Sequence, residues 1–317
     1  MDRRQFVSTV VGVTAGAMTV RPGTATGARS GSTELPTRRL GQSDLVLPIL
    51  SLGGFHVGRA GSEGDARRLV ETAVEEGIRL FDNAESYQSG RAERWVGAAL
   101  EGMRHEVLLM SKTFNLEQRS AESARRHLEG SLERLRTDYL DLWQLHSIRS
   151  VEDVDRAFRA GGAMEYILGA KEQGLVRYVG VTGHVTPAAH RRALEYWDRG
   201  FKFDAMQLPL NPIDYHQQSF QQEGLPHIVQ RGIGVIAMKT SAQAALLRER
   251  ICTIDECLRY VWSLPIAVAV VGMERPQEVR HNARQAREFT PMSAAELDAL
   301  RQRIQSQARL QLEWYKR

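Results

Sequence analysis

Three apolar segments of the chain each run out on an ionisable residue. Residues 78–81 lead to Asp82, with Tyr87 five positions further on. Residues 107–110 lead to Lys112, and residues 139–145 to His146. Lys112 follows Asp82 by 30 residues and His146 follows Lys112 by 34. If the segments are parallel neighbouring strands, all four side chains meet at one face. Together they have a definite chemistry. A phenol with its ordinary pKa of about 10 is a poor proton donor at neutral pH. A neighbouring ammonium stabilises the phenolate and lowers that pKa. An aspartate beside the lysine keeps it charged and in place, and a histidine orients a carbonyl oxygen or hydrogen-bonds the phenol. Such a set protonates an oxygen as a hydride reaches the attached carbon. No activated Ser or Cys nucleophile accompanies it. The structural alternative is an Asp82–Lys112 ion pair with His146 as a satisfied core histidine.

Eight apolar segments alternating with eight helical patterns would have to position these residues. The strand ends fall at Gly53, Asp82, Lys112, His146, Thr182, Gln207, Met238 and Gly272, about 25 to 36 residues apart, near the period of a (β/α)8 barrel. Alternation alone argues for α/β and does not separate a closed barrel from an open doubly wound sheet. The reading adopted is the TIM barrel, whose active site forms at the C-terminal ends of the strands. Residues 35–48 read as a hairpin around the turn 41–44 that would plug the other end. A last helix over 293–307 starts on a Ser293/Glu296 capping box. The aromatic tail 310–317 is expected to dock, with no site indicated. Three loops, 55–60, 147–162 and 240–250, would set substrate choice. The second carries Arg149, Arg156 and Arg159, which read as a solvated charged face, with an anionic substrate as the alternative.

The chain has 317 residues and a formal charge of +4, of which residues 1–28 hold +2. No basic run is interleaved with aromatics, so nucleic acid is not implied. Cys252 and Cys257 lie five apart in a helix-like stretch, which predicts different faces and no mutual disulfide. No Cys/His cluster has metal-ligand spacing, so no metal is expected. The N-terminus begins Met1-Asp2-Arg3-Arg4-Gln5-Phe6-Val7, followed by a mildly apolar run too short to span a membrane. It resembles a twin-arginine export signal. That implies a signal and linker over 1–33, a barrel over 34–317, the export machinery as a partner, a periplasmic or secreted location and no stable membrane span after processing. The alternative is a cytoplasmic protein with a basic N-terminus.

Residues 81–87, Ser111-Lys112, residues 138–146 and residues 177–182 together make the chain similar to the aldo-keto reductases over about residues 34–290. The resemblance implies a barrel that binds NADP(H), or NAD(H), without a Rossmann fold and reduces an aldehyde, ketone or sugar carbonyl. It suggests Tyr87 as general acid/base, Lys112 as its modulator, Asp82 as partner of Lys112 and His146 as orienter of the carbonyl. Cofactor contacts would come from Gly54, Phe55, Thr182, Gly183, Gln207, Met238, Lys239, Gly272, Met273 and Asn282. Met238-Lys239 resembles a Met-Lys subgroup. Three departures stand out: Gly183 cannot supply the amide side chain usual there, Ser241-Ala242-Gln243 lacks the glycines common in the pyrophosphate loop, and Glu278 would repel a 2′-phosphate unless Arg275 or Arg280 compensates. A second class of function is a cofactor-binding regulatory or scaffold subunit, like the β-subunits of potassium channels.

Overall fold

The computed structural model describes residues 34–114 and 118–317, so the export signal expected over 1–33 lies outside the described residues. The described chain opens on an antiparallel hairpin, β1 (Thr37–Arg39) and β2 (Val46–Pro48). Eight parallel strands follow: β3 (Leu50–Gly53), β4 (Leu80–Asp82), β5 (Leu108–Thr113), β6 (Leu140–Ile148), β7 (Val176–Gly183), β8 (Ala205–Pro209), β9 (Gly234–Met238) and β10 (Val268–Val271). They close into a barrel in sequence order, with β10 pairing back onto β3.

The two-residue period of a strand sorts side chains into two layers. Leu80, Met110, Leu142, Ala205, Ile236 and Val268 form one cluster with Leu40, Leu45 and Leu47 of the hairpin. The hairpin therefore closes the barrel at that end, and Tyr178 fastens it by donating to Asp44 in the turn. Two residues further along the same faces stand Asp82, Lys112, Gln144 and Gln207. The intervening residues, among them Phe81, Leu109, Trp143, Leu145 and Val181, pack into a larger core beneath the helices. Burying each such side chain contributes about 1.5–3 kcal/mol. The chemistry-bearing residues are thus inward-facing because they keep step with the apolar plug.

Several elements differ from the sequence expectation. The segment 147–162 is half helix, Val151–Phe158, started by Ser150, whose side chain accepts from the Asp153 amide at 3.2 Å. The stretch 219–230 forms two helices, Phe220–Glu223 and Leu225–Gln230, rather than one. Pro226 lacks the amide that a continuous helix would need there. The segment 240–250 holds a short helix, Ala245–Arg248. The capping box at Ser293 and Glu296 is formed and starts the helix Ala294–Ile304. The two cysteines are a correction. The helix Ile254–Trp262 starts only after a Thr253 cap, so Cys252 lies outside it and helical spacing does not separate the pair. Both are buried and both are free thiols.

Candidate active site

Asp82 ends β4, Lys112 lies in β5 and His146 in β6, while Tyr87 follows in the loop after β4. The barrel brings all four together. The Lys112 ammonium, 1% exposed, is ion-paired with Asp82 and donates to the Asn83 carbonyl at 2.6 Å and to the Tyr87 hydroxyl at 3.3 Å. Burial alone would lower the Lys112 pKa; the Asp82 carboxylate and then Tyr87 override it and hold the pKa above its ordinary value. Burial raises the Tyr87 pKa, and Lys112 pulls the other way. The phenol oxygen accepts from Lys112, so its own proton stays available to a substrate. His146 meets Tyr87 edge to face at 5.9 Å and Phe114 at 5.2 Å, without a hydrogen bond to the phenol. Burial, then the charge of Lys112, keeps the His146 pKa well below its usual value, so the imidazole is neutral at neutral pH. Its Nδ1 is buried and has no partner.

Behind the tetrad, Gln144 Nε2 donates to Gln207 Oε1 at 2.8 Å, and Gln207 Nε2 lies 3.4 Å from Asp82 Oδ2. His146 itself is held through its backbone. The register between β6 and β7 shifts between Leu145 and Ile148, with Ser147 left-handed at φ 57°. Such bulges re-aim side chains beside sites. Arg119, also 1% exposed, secures this one. Its guanidinium donates to the His146 carbonyl at 2.7 Å, to the Ser147 carbonyl at 2.9 Å and to both oxygens of Asp153 at 2.9 and 2.8 Å. Sequence reading passed over Arg119 and Asp153. A buried arginine 27 residues before His146 has no local signal.

The expected cofactor positions are met unevenly. Gly54 heads the short helix Gly54–Val57, and the Phe55 ring, 41% exposed, stands edge-on to Tyr87 at 5.4 Å. Thr182 and Gly183 end β7. A Cβ on Gly183 would fall 2.6 Å from the Ile148 carbonyl, so the extension of β6 leaves no room for an amide side chain. Gln207 is engaged by Gln144 and Asp82. Met238 ends β9, half-buried, and Lys239 follows with φ 52° and its ammonium 4.8 Å from the Tyr315 ring centre. Gly272 lies under the His56 ring, which a Cβ would meet at 2.1 Å. The Met273 side chain is fully buried in the outer core, which leaves its backbone for a ligand. Asn282 is buried in the helix Pro276–Arg287. Glu278 holds Arg275 by hydrogen bonds of 3.0 and 2.8 Å and accepts from the Glu274 amide at 2.8 Å. A nicotinamide dinucleotide suits these residues. The Asn83 amide is buried beside the tetrad with neither polar atom partnered, Phe55 and Met238 offer ring-packing surface, and Arg275 and Arg280 are exposed cations beyond β10.

The tail docks on this end of the barrel. The Tyr315 carbonyl accepts from His184 Nδ1 at 2.9 Å, and the Tyr315 hydroxyl donates to Glu313 at 2.8 Å and accepts from Asn211 at 3.0 Å. Lys316, fully buried, donates to Asp214 at 2.8 Å, Glu313 at 2.7 Å and the Gln217 carbonyl at 2.9 Å. Trp314 points outward, 57% exposed. Among the described residues no cluster of His, Cys, Asp or Glu could hold a metal ion, and no helix is long and apolar enough to cross a membrane.

The sequence model described as "Aldo/keto reductase family" matches residues 49–256. The chain is 32% identical over 214 residues to Methylglyoxal reductase YeaE of Escherichia coli, covering 65% of this chain and 68% of that protein. It is 31% identical over 154 residues to an uncharacterized oxidoreductase, YqkF, of Bacillus subtilis, covering 46% of this chain and about half (48%) of that protein's length. Among solved structures it resembles the holo form of the aldo-keto reductase AKR11C1 from Bacillus halodurans. The TM-score is 0.71 at 26% identity, with 87% of this chain and 97% of that one covered.

Proposed function

Since the chain belongs to the aldo/keto reductase family and is an NAD(P)H-dependent oxidoreductase of that type, we propose that Tyr87 protonates the carbonyl oxygen of a small aldehyde, ketone or sugar. The observation that carries this is the Lys112 ammonium, shared between Asp82 and the Tyr87 hydroxyl in a closed, buried contact. Lys112 offsets the burial of the phenol and so strengthens it as an acid, while Asp82 keeps Lys112 charged. Neutral His146 orients the carbonyl without competing as an acid. The nicotinamide, when bound, supplies hydride, and Phe55, Thr182, Met238 and Gly272 are the residues that would hold it. In the reverse direction the same phenol, as phenolate, takes the proton of an alcohol.

The first choice of cofactor is NADP(H), because Arg275 and Arg280 are exposed beyond β10. Glu278 favours NAD(H) instead, since it already engages Arg275 and would repel a 2′-phosphate. Met238-Lys239 supports membership of a Met-Lys subgroup. The Arg3-Arg4-x-Phe6 opening supports export as a folded protein through the twin-arginine machinery, with a barrel domain from residue 34 and a periplasmic or secreted location. Retention of all four residues of the tetrad speaks against a purely regulatory or scaffold role.

Fluorescence titration with NADPH and NADH, followed by turnover of aldehydes and ketones, tests the reading. Tyr87→Phe is expected to cost about 10²–10⁴ in kcat through loss of general-acid catalysis, with the cofactor Kd nearly unchanged. Unchanged turnover in that variant would remove Tyr87 from the mechanism.

A further inference from the structure

Glu85 is a carboxyl group in an unfavourable place. It lies in the loop after β4, two residues before Tyr87, with its side chain 15% exposed. Among the described residues its one ion-pair contact is with His127, whose Nδ1 stands 3.6 Å away. Burial lowers the His127 pKa, so that imidazole is neutral at neutral pH and cancels no charge. Arg134, which pulls the Glu85 pKa down, is itself bonded to Glu93 at 2.7 Å. Burial outweighs these effects, and the group carries a cost at neutral pH that a side-chain amide would not. Natural chains break such local rules mainly at functional sites.

Its contacts join the loop of Tyr87 to the end of β5. The Asn83 amide donates to the Met110 carbonyl at 2.8 Å and the Glu85 amide to the Lys112 carbonyl at 3.4 Å, so the chain beyond β4 still runs beside β5. The register of β5 with β6 ends at Thr113 and Leu145. The next residue, Phe114, donates its amide to Glu85 Oε1 at 3.0 Å. His127, in the helix Ala121–Leu135, closes the group from outside, with Nδ1 2.8 Å from Thr113 Oγ1. From there the contacts return to the tetrad. The Phe114 ring stands edge-on to His146 at 5.2 Å, and His146 meets Tyr87 edge-on at 5.9 Å. The Tyr87 amide in turn donates to the Ala84 carbonyl at 3.0 Å, in the turn that contains Glu85. Glu85, Phe114, His146 and Tyr87 thus form a closed circuit, in which Glu85 supplies the one side-chain hydrogen bond.

We propose that Glu85 is a positioning residue for carbonyl reduction: by holding the Phe114 amide it fixes the Phe114 ring against His146, and so sets the angle at which the imidazole meets a carbonyl placed at Tyr87. This rests on the reductase reading above. The His146 Nδ1 has no partner, so ring contacts take the place of a hydrogen bond in orienting it. What the Phe114 amide needs from position 85 is an acceptor oxygen. An amide side chain of the same length supplies one, and an aliphatic side chain does not.

Steady-state kinetics with an aldehyde, and fluorescence titration with NADPH and NADH, test it on four variants: Glu85→Leu, Glu85→Gln, Phe114→Leu and the double variant Glu85→Leu/Phe114→Leu. Glu85→Leu is expected to lower kcat by about tenfold through misorientation at the reacting carbonyl, with KM and the cofactor Kd changed much less. Glu85→Gln should recover most of that loss. Phe114→Leu, which leaves Glu85 in place, is expected to lose kcat to a similar extent. The double variant should be little worse than either single one, because both changes break the same link. Equal kcat in the parent and in Glu85→Leu or Phe114→Leu overturns the proposal. So does a Glu85→Gln variant as impaired as Glu85→Leu, or two losses that simply multiply in the double variant. Each of these outcomes leaves the reductase reading standing. A parent protein that binds NADPH or NADH and turns over no aldehyde or ketone overturns the reductase reading, and this inference with it.

Discussion

Burial alone would weaken Tyr87 as an acid and would discharge Lys112; the Asp82 carboxylate reverses the second effect and, through Lys112, limits the first. The tetrad therefore works as one electrostatic unit, with each charge kept in a dry site only by its neighbour. Glu85, two residues before Tyr87, is a contrasting case. Burial pushes its pKa up to about 7, although the Phe114 amide donates to it at 3.0 Å. Its ordinary value is 4.5, so between the two the folded chain holds a proton that the unfolded chain has lost. Stability contributed by that proton is present below the lower value and is lost as pH rises through the upper one. Glu85→Gln, which keeps the acceptor and drops the charge, is expected to raise the Tm at about pH 8 and change it little at about pH 4. Thermal denaturation at both pH values checks this, and an unaltered Tm at the higher pH would refute a charge cost at this position.

At the scale of elements, the irregular end of β6 decides where His146 points. Its ring has an unpartnered Nδ1, so no carboxylate behind it fixes the imidazole. The orientation comes instead from the bulge at Ser147, the Arg119 clamp on two successive carbonyls and the edges of Tyr87 and Phe114. The same extension places Ile148 against Gly183, which explains why a glycine stands there. Asp153→Ala would leave Arg119 buried without its counter-charge. The expected loss is about 3–5 kcal/mol of stability, read from denaturant midpoints. Because Arg119 also holds the His146 carbonyl, kcat is expected to fall further than KM changes, with Asp153→Asn intermediate. Equal kcat in parent and Asp153→Ala would show that the clamp serves stability alone.

Over the whole molecule, the barrel is closed at one end by the hairpin and bordered at the other by the tail. Leu40, Leu45 and Leu47 seal the first end by apolar packing, and Tyr178 fastens it at Asp44. The tail is held by ions: Lys316 lies between Asp214 and Glu313, all three buried. Burial raises the Asp214 pKa to about 6, against the pull of Lys316. Lys316→Met is therefore expected to cost about 3–5 kcal/mol where both carboxylates are ionised. The loss should be larger at about pH 8 than at about pH 5, where Asp214 can take up a proton. Denaturation at the two pH values measures it, and equal losses at both would show that Asp214 is not the group left uncompensated.

The sequence by itself determined the alternation of strands and helices and the strand ends on which the tetrad stands; closure of the barrel, by pairing of β10 back onto β3, is tertiary. Strand and helix periods are local, and a strand that keeps its two-residue step from Leu80 to Asp82, from Met110 to Lys112 and from Leu142 to Gln144 delivers those ends to one face. Only the tertiary structure decided the rest. Arg119 reaches His146 across 27 residues, and Tyr315 reaches His184 across 131. Such contacts depend on which loops meet above the barrel, and that is set by the packing of the whole chain.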